Sequence, residues 1–118
     1  MTTLKRGMVI QANLDPTAGS ETGKIRPCVI VTNDVYNERT PVVQVVPITA
    51  WSEKKARIRT NVELAAGPSN GLTKRSIADC LQTRPIDHAK RMTAGLGQLS
   101  DQDMRKIDDA LKTVFALK

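Results

Sequence analysis

Residues 19–27 read GSETGKIRP and bring two glycines, two hydroxyls and two cations together. These residue types hold phosphates. A nucleotide-binding P-loop would need four residues between its glycines and a Ser or Thr after the lysine to hold Mg²⁺. Here three residues, Ser20, Glu21 and Thr22, separate Gly19 from Gly23, and Ile25 follows Lys24. A P-loop also opens a helix, whereas Pro27 and the CVIVTN after it have the character of a strand. ATP and GTP binding are therefore excluded. What is left is Arg26 at the start of a rigid apolar strand, beside a loop carrying Ser20, Glu21 and Lys24. A guanidinium matches a phosphate because it donates two parallel hydrogen bonds. Thr49 ends another apolar run after Pro47 and can present a hydroxyl at the same rim. From residue types alone, a salt bridge for Arg26 and a turn cap for Thr49 remain the plainer readings.

Other chemistry is sparse. His88 is the one histidine, which rules out RNA cleavage by a histidine pair, and next to Asp87 it reads as a surface residue. Cys28 and Cys80 lie 52 positions apart with no C-x-x-C pair, so they read as reduced core thiols inside two strands and not as metal ligands. Asp108 and Asp109 fit an ordinary helix surface. No metal and no cofactor is expected.

The elements that must position Arg26 and Thr49 are mostly short strands. GMVIQANL alternates Met8, Ile10, Ala12 and Leu14 on one side. DPTAGSETGK is an exposed, flexible loop. PCVIVTN is a buried strand, NDVYNERTP a connection with room for one helical turn, and VVQVVPIT a third strand whose Pro47 suggests an edge or a bulge. NVELAA and RSIADCLQ are two further strands around a GPSNGLTK turn, and RPIDHAKRM has room for a short helix. The end of the chain changes period. Ser100 and Asp103 form a capping arrangement, and Met104, Ile107, Leu111 and Val114 then recur at helical spacing. Strands followed by a final helix predict a mainly β fold, a small antiparallel barrel closed by a C-terminal α-helix.

The 118 residues amount to one domain, 1–118, with 40% hydrophobic residues and a net charge of +6. Residues 1–92 carry 14 Lys and Arg against 8 Asp and Glu, and residues 93–118 carry 4 of each. The whole positive excess thus lies in the β-rich part, where it favours polyanionic partners. There is no long apolar run for a membrane span and no signal-peptide pattern at the start, so the expected location is cytoplasmic. SEKKARIRT gathers Lys54, Lys55, Arg57 and Arg59 around one acid, either a solvated loop or an arm over RNA. Trp51 beside it can stack on a base or pack at a barrel edge.

RGMVIQANLDPTAGSETGKIRPCVIVTNDVYN, VVQVVPITA and GLTKRSIADCLQTRPID follow one another in an order and spacing that resembles the MazF/PemK toxins of bacterial toxin–antitoxin pairs. The resemblance covers nearly the whole chain. It implies an SH3-like barrel of the MazF/CcdB type, a homodimer, and a metal-independent, sequence-specific endoribonuclease. It also implies neutralisation by a cognate antitoxin. The reaction expected on single-stranded mRNA is attack by a ribose 2′-hydroxyl on its own phosphate, giving 2′,3′-cyclic phosphate and 5′-hydroxyl ends. The resemblance implies Arg26, in the Arg-Pro pair, and Thr49, in the PIT segment, as catalytic residues. Ser20 and Glu21 match the supporting loop, and Gln82 and Arg84 match a stretch associated with RNA contacts. Lys24, Trp51, Lys54, Lys55 and Arg57 complete the expected RNA-binding set. The family loop reads Gly-Ser-Glu-Gln-Gly, and this chain has Thr22 at the Gln position. A same-fold toxin that inhibits DNA gyrase by binding, without nuclease activity, is the alternative; it has no need of both Arg26 and Thr49.

Overall fold

The computed structural model describes residues 3–118. Seven strands, β1 (Met8–Asn13), β2 (Ile25–Ile30), β3 (Val42–Ala50), β4 (Asn61–Leu64), β5 (Ser76–Asp79), β6 (Arg84–Asp87) and β7 (Met92–Gln98), are joined by three single helical turns, α1 (Asp34–Asn37), α2 (Glu53–Ala56) and α3 (His88–Arg91), and followed by the long helix α4 (Asp101–Phe115). All pairings are antiparallel, in the order β4-β5-β3-β2-β1-β7, with β6 also on β3. The mainly β architecture with a C-terminal helix matches the expectation, except that the hydrogen-bonded path is open: β4 and β7 end it without pairing to each other.

The strands look continuously apolar in the sequence because both faces of the sheet are covered. Successive side chains of a strand point to opposite faces. Val9, Val29, Val46 and Ile48 enter one cluster with Met104, Ile107 and Ala110 of α4. Ile10, Ala12, Cys28, Ile30, Val43 and Val45 enter the other. The alternation read for β1 is therefore real, but Val9 on its opposite face is fully buried as well. Ser100 caps α4 as its position predicts, its hydroxyl accepting from Asp103 N at 3.1 Å.

Three local expectations are revised and one strand is new. Pro47 lies on the central strand and not at an edge. β3 pairs with β6 over 42–45 and with β5 over 48–50, so the proline, which has no N–H to donate, occupies the gap between the two partners. Cys80 opens a 3-10 turn (Cys80–Gln82) instead of lying in a strand. SEKKARIRT contains the turn α2, capped by Ser52, whose hydroxyl accepts from Lys55 N. Finally β7 is a full strand, hidden in the sequence by Gly95 and Gly97. Gly97 has a packing reason: a Cβ there would collide with the backbone of Ser69 and Asn70.

Candidate active site

Arg26 and Thr49 stand on neighbouring strands. The β2–β3 register pairs Cys28 with Pro47. That is the last pair of the β2–β3 ladder; Arg26 and Thr49 each lie two residues beyond it on their own strand, on the face that Cys28 and Val45 share within the second apolar cluster. The apolar pairs thus hold the strands together, and the polar pair emerges where the cluster stops.

The arginine is oriented. Its Nε donates to Gly23 O at 2.7 Å, and among the described residues no side-chain hydrogen bond uses the terminal nitrogens of the fork. Among the described residues it makes no ion pair, so the salt-bridge reading does not hold. Thr49 Oγ1 accepts from Lys55 Nζ at 3.3 Å and caps no helix or turn. The same ammonium reaches Ala50 O at 3.4 Å. One turn of α2 therefore brings a second cation to the threonine.

Three clefts run together here. A cleft of about 420 Å³ is lined by Arg26, Thr49 and Lys55 with Glu21, Lys24 and Asp79, among others. A second, of about 340 Å³, lies towards Gln11, Ile48, Leu72, Lys74 and Leu96, and it has Arg26 and Thr49 in common with the first. Those two are the only residues the two clefts share. A third cleft adjoins the first at Glu21 and Thr22 and contains Gln82 and Arg84. Charge is distributed unevenly. The first cleft holds Asp15, Glu21 and Asp79 against Lys24, Arg26 and Lys55, while the second holds Arg26 and Lys74 and no acid.

The loop before Arg26 is anchored along its length, in contrast to the expected flexible segment. Leu14 N donates to Lys24 O at 2.9 Å. Arg84 donates to Leu14 O at 2.9 Å, and Arg91 to Asp15 O at 2.7 Å. Gln82 accepts from Thr22 N and donates to Ser20 O, both at 3.2 Å. Glu21 accepts from Ala18 N at 2.8 Å within the loop. Lys24 adopts a left-handed backbone, φ 68°, which turns the chain into β2.

The other expected residues are placed less uniformly. Ser20 touches the site through its backbone carbonyl alone among the contacts above. Trp51 lies under the Arg75 guanidinium, 4.0 Å from the ring centre, and lines neither cleft that contains Arg26. Lys54 on α2 and Arg57 just after it are exposed, and Arg57 pairs with Glu53 at 2.6 Å. Among the described residues no group of three or more His, Cys, Asp or Glu side chains could hold a metal ion. No helix there is long and apolar enough to cross a membrane.

Asp79 and Lys74 were not anticipated from the sequence. Asp79 ends β5 and its carboxyl is held above the usual carboxylate range. Burial is the main cause, opposed by the backbone N–H groups of Gln82 and Leu81 and by the Lys55 charge. Burial likewise pushes the Cys28 and Cys80 thiols up to about 12.

Comparison with known proteins agrees with this architecture. The chain is 39% identical over 114 residues to Endoribonuclease EndoA of Bacillus subtilis (strain 168), a match spanning 97% of this chain and 96% of the relative. An endoribonuclease in complex with its cognate antitoxin from Mycobacterial species superposes with a TM-score of 0.73 at 26% identity, covering 100% of this chain and 98% of the other. MazF (Form-I) from Deinococcus radiodurans shares the fold, with a TM-score of 0.84 at 20% identity over 99% of this chain and 100% of its own. The sequence profile described as PemK-like, MazF-like toxin of type II toxin-antitoxin system matches residues 5–115. The chain therefore belongs to the PemK-like, MazF-like toxin family.

Proposed function

We propose that this protein is an endoribonuclease toxin that cuts single-stranded mRNA at specific sequences without a metal ion. The observation that carries this reading is the sharing of Arg26 and Thr49, and of nothing else, by two adjoining clefts. A strand of RNA crossing from one cleft to the other passes both side chains at one phosphate. The relationship to Endoribonuclease EndoA at 39% identity supports the reaction class.

The ribose 2′-hydroxyl attacks its own phosphorus, the bond to the 5′ oxygen breaks, and a 2′,3′-cyclic phosphate and a 5′-hydroxyl remain. Cleavage of this kind needs in-line placement and donors aimed at the oxygens where charge grows. Arg26, fixed through Nε, directs its free N–H groups at the non-bridging oxygens. Thr49 donates its hydroxyl to the same phosphate and takes the Lys55 ammonium as its own donor, so the hydroxyl proton is free for the substrate. Lys24 and Lys74 bind the flanking phosphates, while Lys55 stays with Thr49 at the scissile one. Gln82 and Arg84 line the third cleft, where their remaining hydrogen-bonding capacity and the edges of Thr22 and Thr83 read the bases. Ser20 and Glu21 shape the loop. Lys54, Arg57 and Trp51 lie outside the path and serve encounter more than positioning.

The protein works as a homodimer and is held inactive by a cognate acidic antitoxin; the antitoxin complex of the mycobacterial endoribonuclease supports the second part. The test is incubation with a long RNA in excess EDTA, followed by end-group analysis. Defined cuts with cyclic phosphate and 5′-hydroxyl ends are expected, and an all-deoxy copy should survive because it lacks the nucleophile. Cutting that requires added metal, or equal cutting of the deoxy copy, would overturn the mechanism. Binding without any cutting would overturn the activity.

A further inference from the structure

Arginine remains protonated and threonine is a poor base, so neither of the two central residues accounts for the proton that must leave the 2′-hydroxyl. We propose that Asp79 accepts that proton and that Lys55 supplies the one taken up by the 5′ oxygen. This rests on the reading of the site as a ribonuclease and adds the acid and the base to it.

All the acids near the shared pair lie on one side of it. Asp15, Glu21 and Asp79 line the first cleft and none lines the second. Glu21 Oε1 accepts from Ala18 N at 2.8 Å within the exposed loop, and the Asp79 carboxylate likewise meets the backbone N–H groups of Gln82 and Leu81, so what separates the two is the element that carries them. Asp15 Oδ1 is the acceptor for Thr17 Oγ1 at 3.5 Å and Asn13 caps its N–H, within an exposed turn. Asp79 differs in being carried on the end of a core strand, two residues from the fully buried Ile77, whose register partner on β3 is Thr49. Its position is therefore tied to that of the threonine through the β3–β5 ladder. The charged groups that line the cleft with it are Lys55, just after the start of α2, Arg26 from β2, and Asp15, Glu21 and Lys24 from the loop, and of these the Lys55 charge acts on its carboxyl. Partial burial makes it a stronger proton acceptor than an exposed aspartate.

The balance is complete without a metal or co-reactant. The proton of the 2′-hydroxyl passes to the Asp79 carboxylate as the 2′ oxygen bonds to phosphorus. The electron pair of the breaking bond stays on the 5′ oxygen, which takes a proton from the Lys55 ammonium. Asp79, now protonated, returns its proton through solvent to the Lys55 amine, and both groups regain their starting states.

Asp79→Asn keeps the shape and removes the acceptor. The expected result is a loss of kcat of about 100-fold or more, with unchanged affinity for a 2′-O-methyl RNA and loss of the acid limb of the kcat–pH profile. A purely structural role would change affinity or thermal midpoint and leave the limb in place. RNA with a sulfur in place of the 5′ bridging oxygen separates the two roles, because thiolate leaves without a proton. Lys55→Ala should regain most of its lost rate on that substrate and Asp79→Asn should not. Wild-type cleavage with an Asp79→Asn variant of equal kcat and the same pH limb would overturn this assignment and leave the ribonuclease reading intact. A wild-type protein that cuts no RNA would overturn both.

Discussion

Lys55 Nζ lies 3.3 Å from Thr49 Oγ1 and saturates one acceptor site of that hydroxyl. A hydroxyl that already accepts from an ammonium directs its own proton elsewhere, and here the open direction is the cleft. Thr49→Ala should lower kcat by about 100- to 1,000-fold, the usual effect of deleting one donor to a developing oxyanion. Thr49→Ser should keep most of the rate. Thermal midpoints of both should stay close to wild type, since Thr49 is half-buried at the rim of the core. Single-turnover cleavage of a short RNA checks this.

Arg26 uses Nε to hold the loop at Gly23 O, and its remaining N–H groups are what the substrate meets. Lysine cannot do both, because its ammonium is a single point of charge. Arg26→Lys should therefore be nearly as inactive as Arg26→Ala, with about a 100-fold loss or more. Measured kcat values for the pair of variants decide it; near wild-type activity for Arg26→Lys would mean that only the charge matters.

Gln82 bridges Thr22 N and Ser20 O across 60 or more positions of sequence. Its truncation frees two backbone groups at the 20–22 end of a loop that Arg84 and Arg91 hold at Leu14 and Asp15. Gln82→Ala should speed amide hydrogen exchange over residues 18–24 with little change in the global unfolding midpoint, about 1 kcal/mol or less. Equal exchange in the variant would mean that Arg84 and Arg91 fix the loop alone.

The thiols give a pH prediction with a definite sign. Burial raises Cys28 and Cys80 from 9.0 to about 12 in the folded chain. Above about pH 9 the unfolded chain releases protons that the folded chain retains, so stability falls as pH rises from about 9 towards 12. The slope is roughly 1.4 kcal/mol per pH unit for each thiol. Urea midpoints at pH 8 and pH 10 should differ clearly for wild type and much less for the Cys28→Ala, Cys80→Ala double variant. A thiol reagent at pH 8 should label neither cysteine until the protein unfolds.

Arg26, which precedes Pro27, and Thr49, two residues after Pro47, stood out as candidates because each lies at the limit of a long apolar run, while their assignment as a catalytic pair came from the family resemblance. The final helix was legible from local pattern, since Ser100, Asp103 and the stripe from Met104 to Val114 all agree. Other features depended on tertiary contacts. β7 drew no assignment from the sequence, where Gly95 and Gly97 weaken strand propensity, yet Gly97 is what lets the 67–71 turn approach. Gly71 has φ +71°, and a Cβ there would strike the Leu96 backbone. Asp79 reads as one acid inside the RSIADCLQ strand, and it joins the site only because the β3–β5 register and the turn α2 bring it into one cleft with Thr49 and Lys55. Gln82 and Arg84 stood out as RNA contacts, whereas in the fold both also bind the 14–24 segment.

The central claim is that one phosphodiester is held by Arg26 and Thr49 together. A crystal structure with a target RNA carrying a 2′-fluoro group at the cleavage position tests it most directly. The account predicts a phosphate whose non-bridging oxygens accept from the Arg26 guanidinium and the Thr49 hydroxyl, with the strand continuing into both adjoining clefts. A scissile phosphate bound elsewhere on the sheet, with either side chain out of reach, would contradict it.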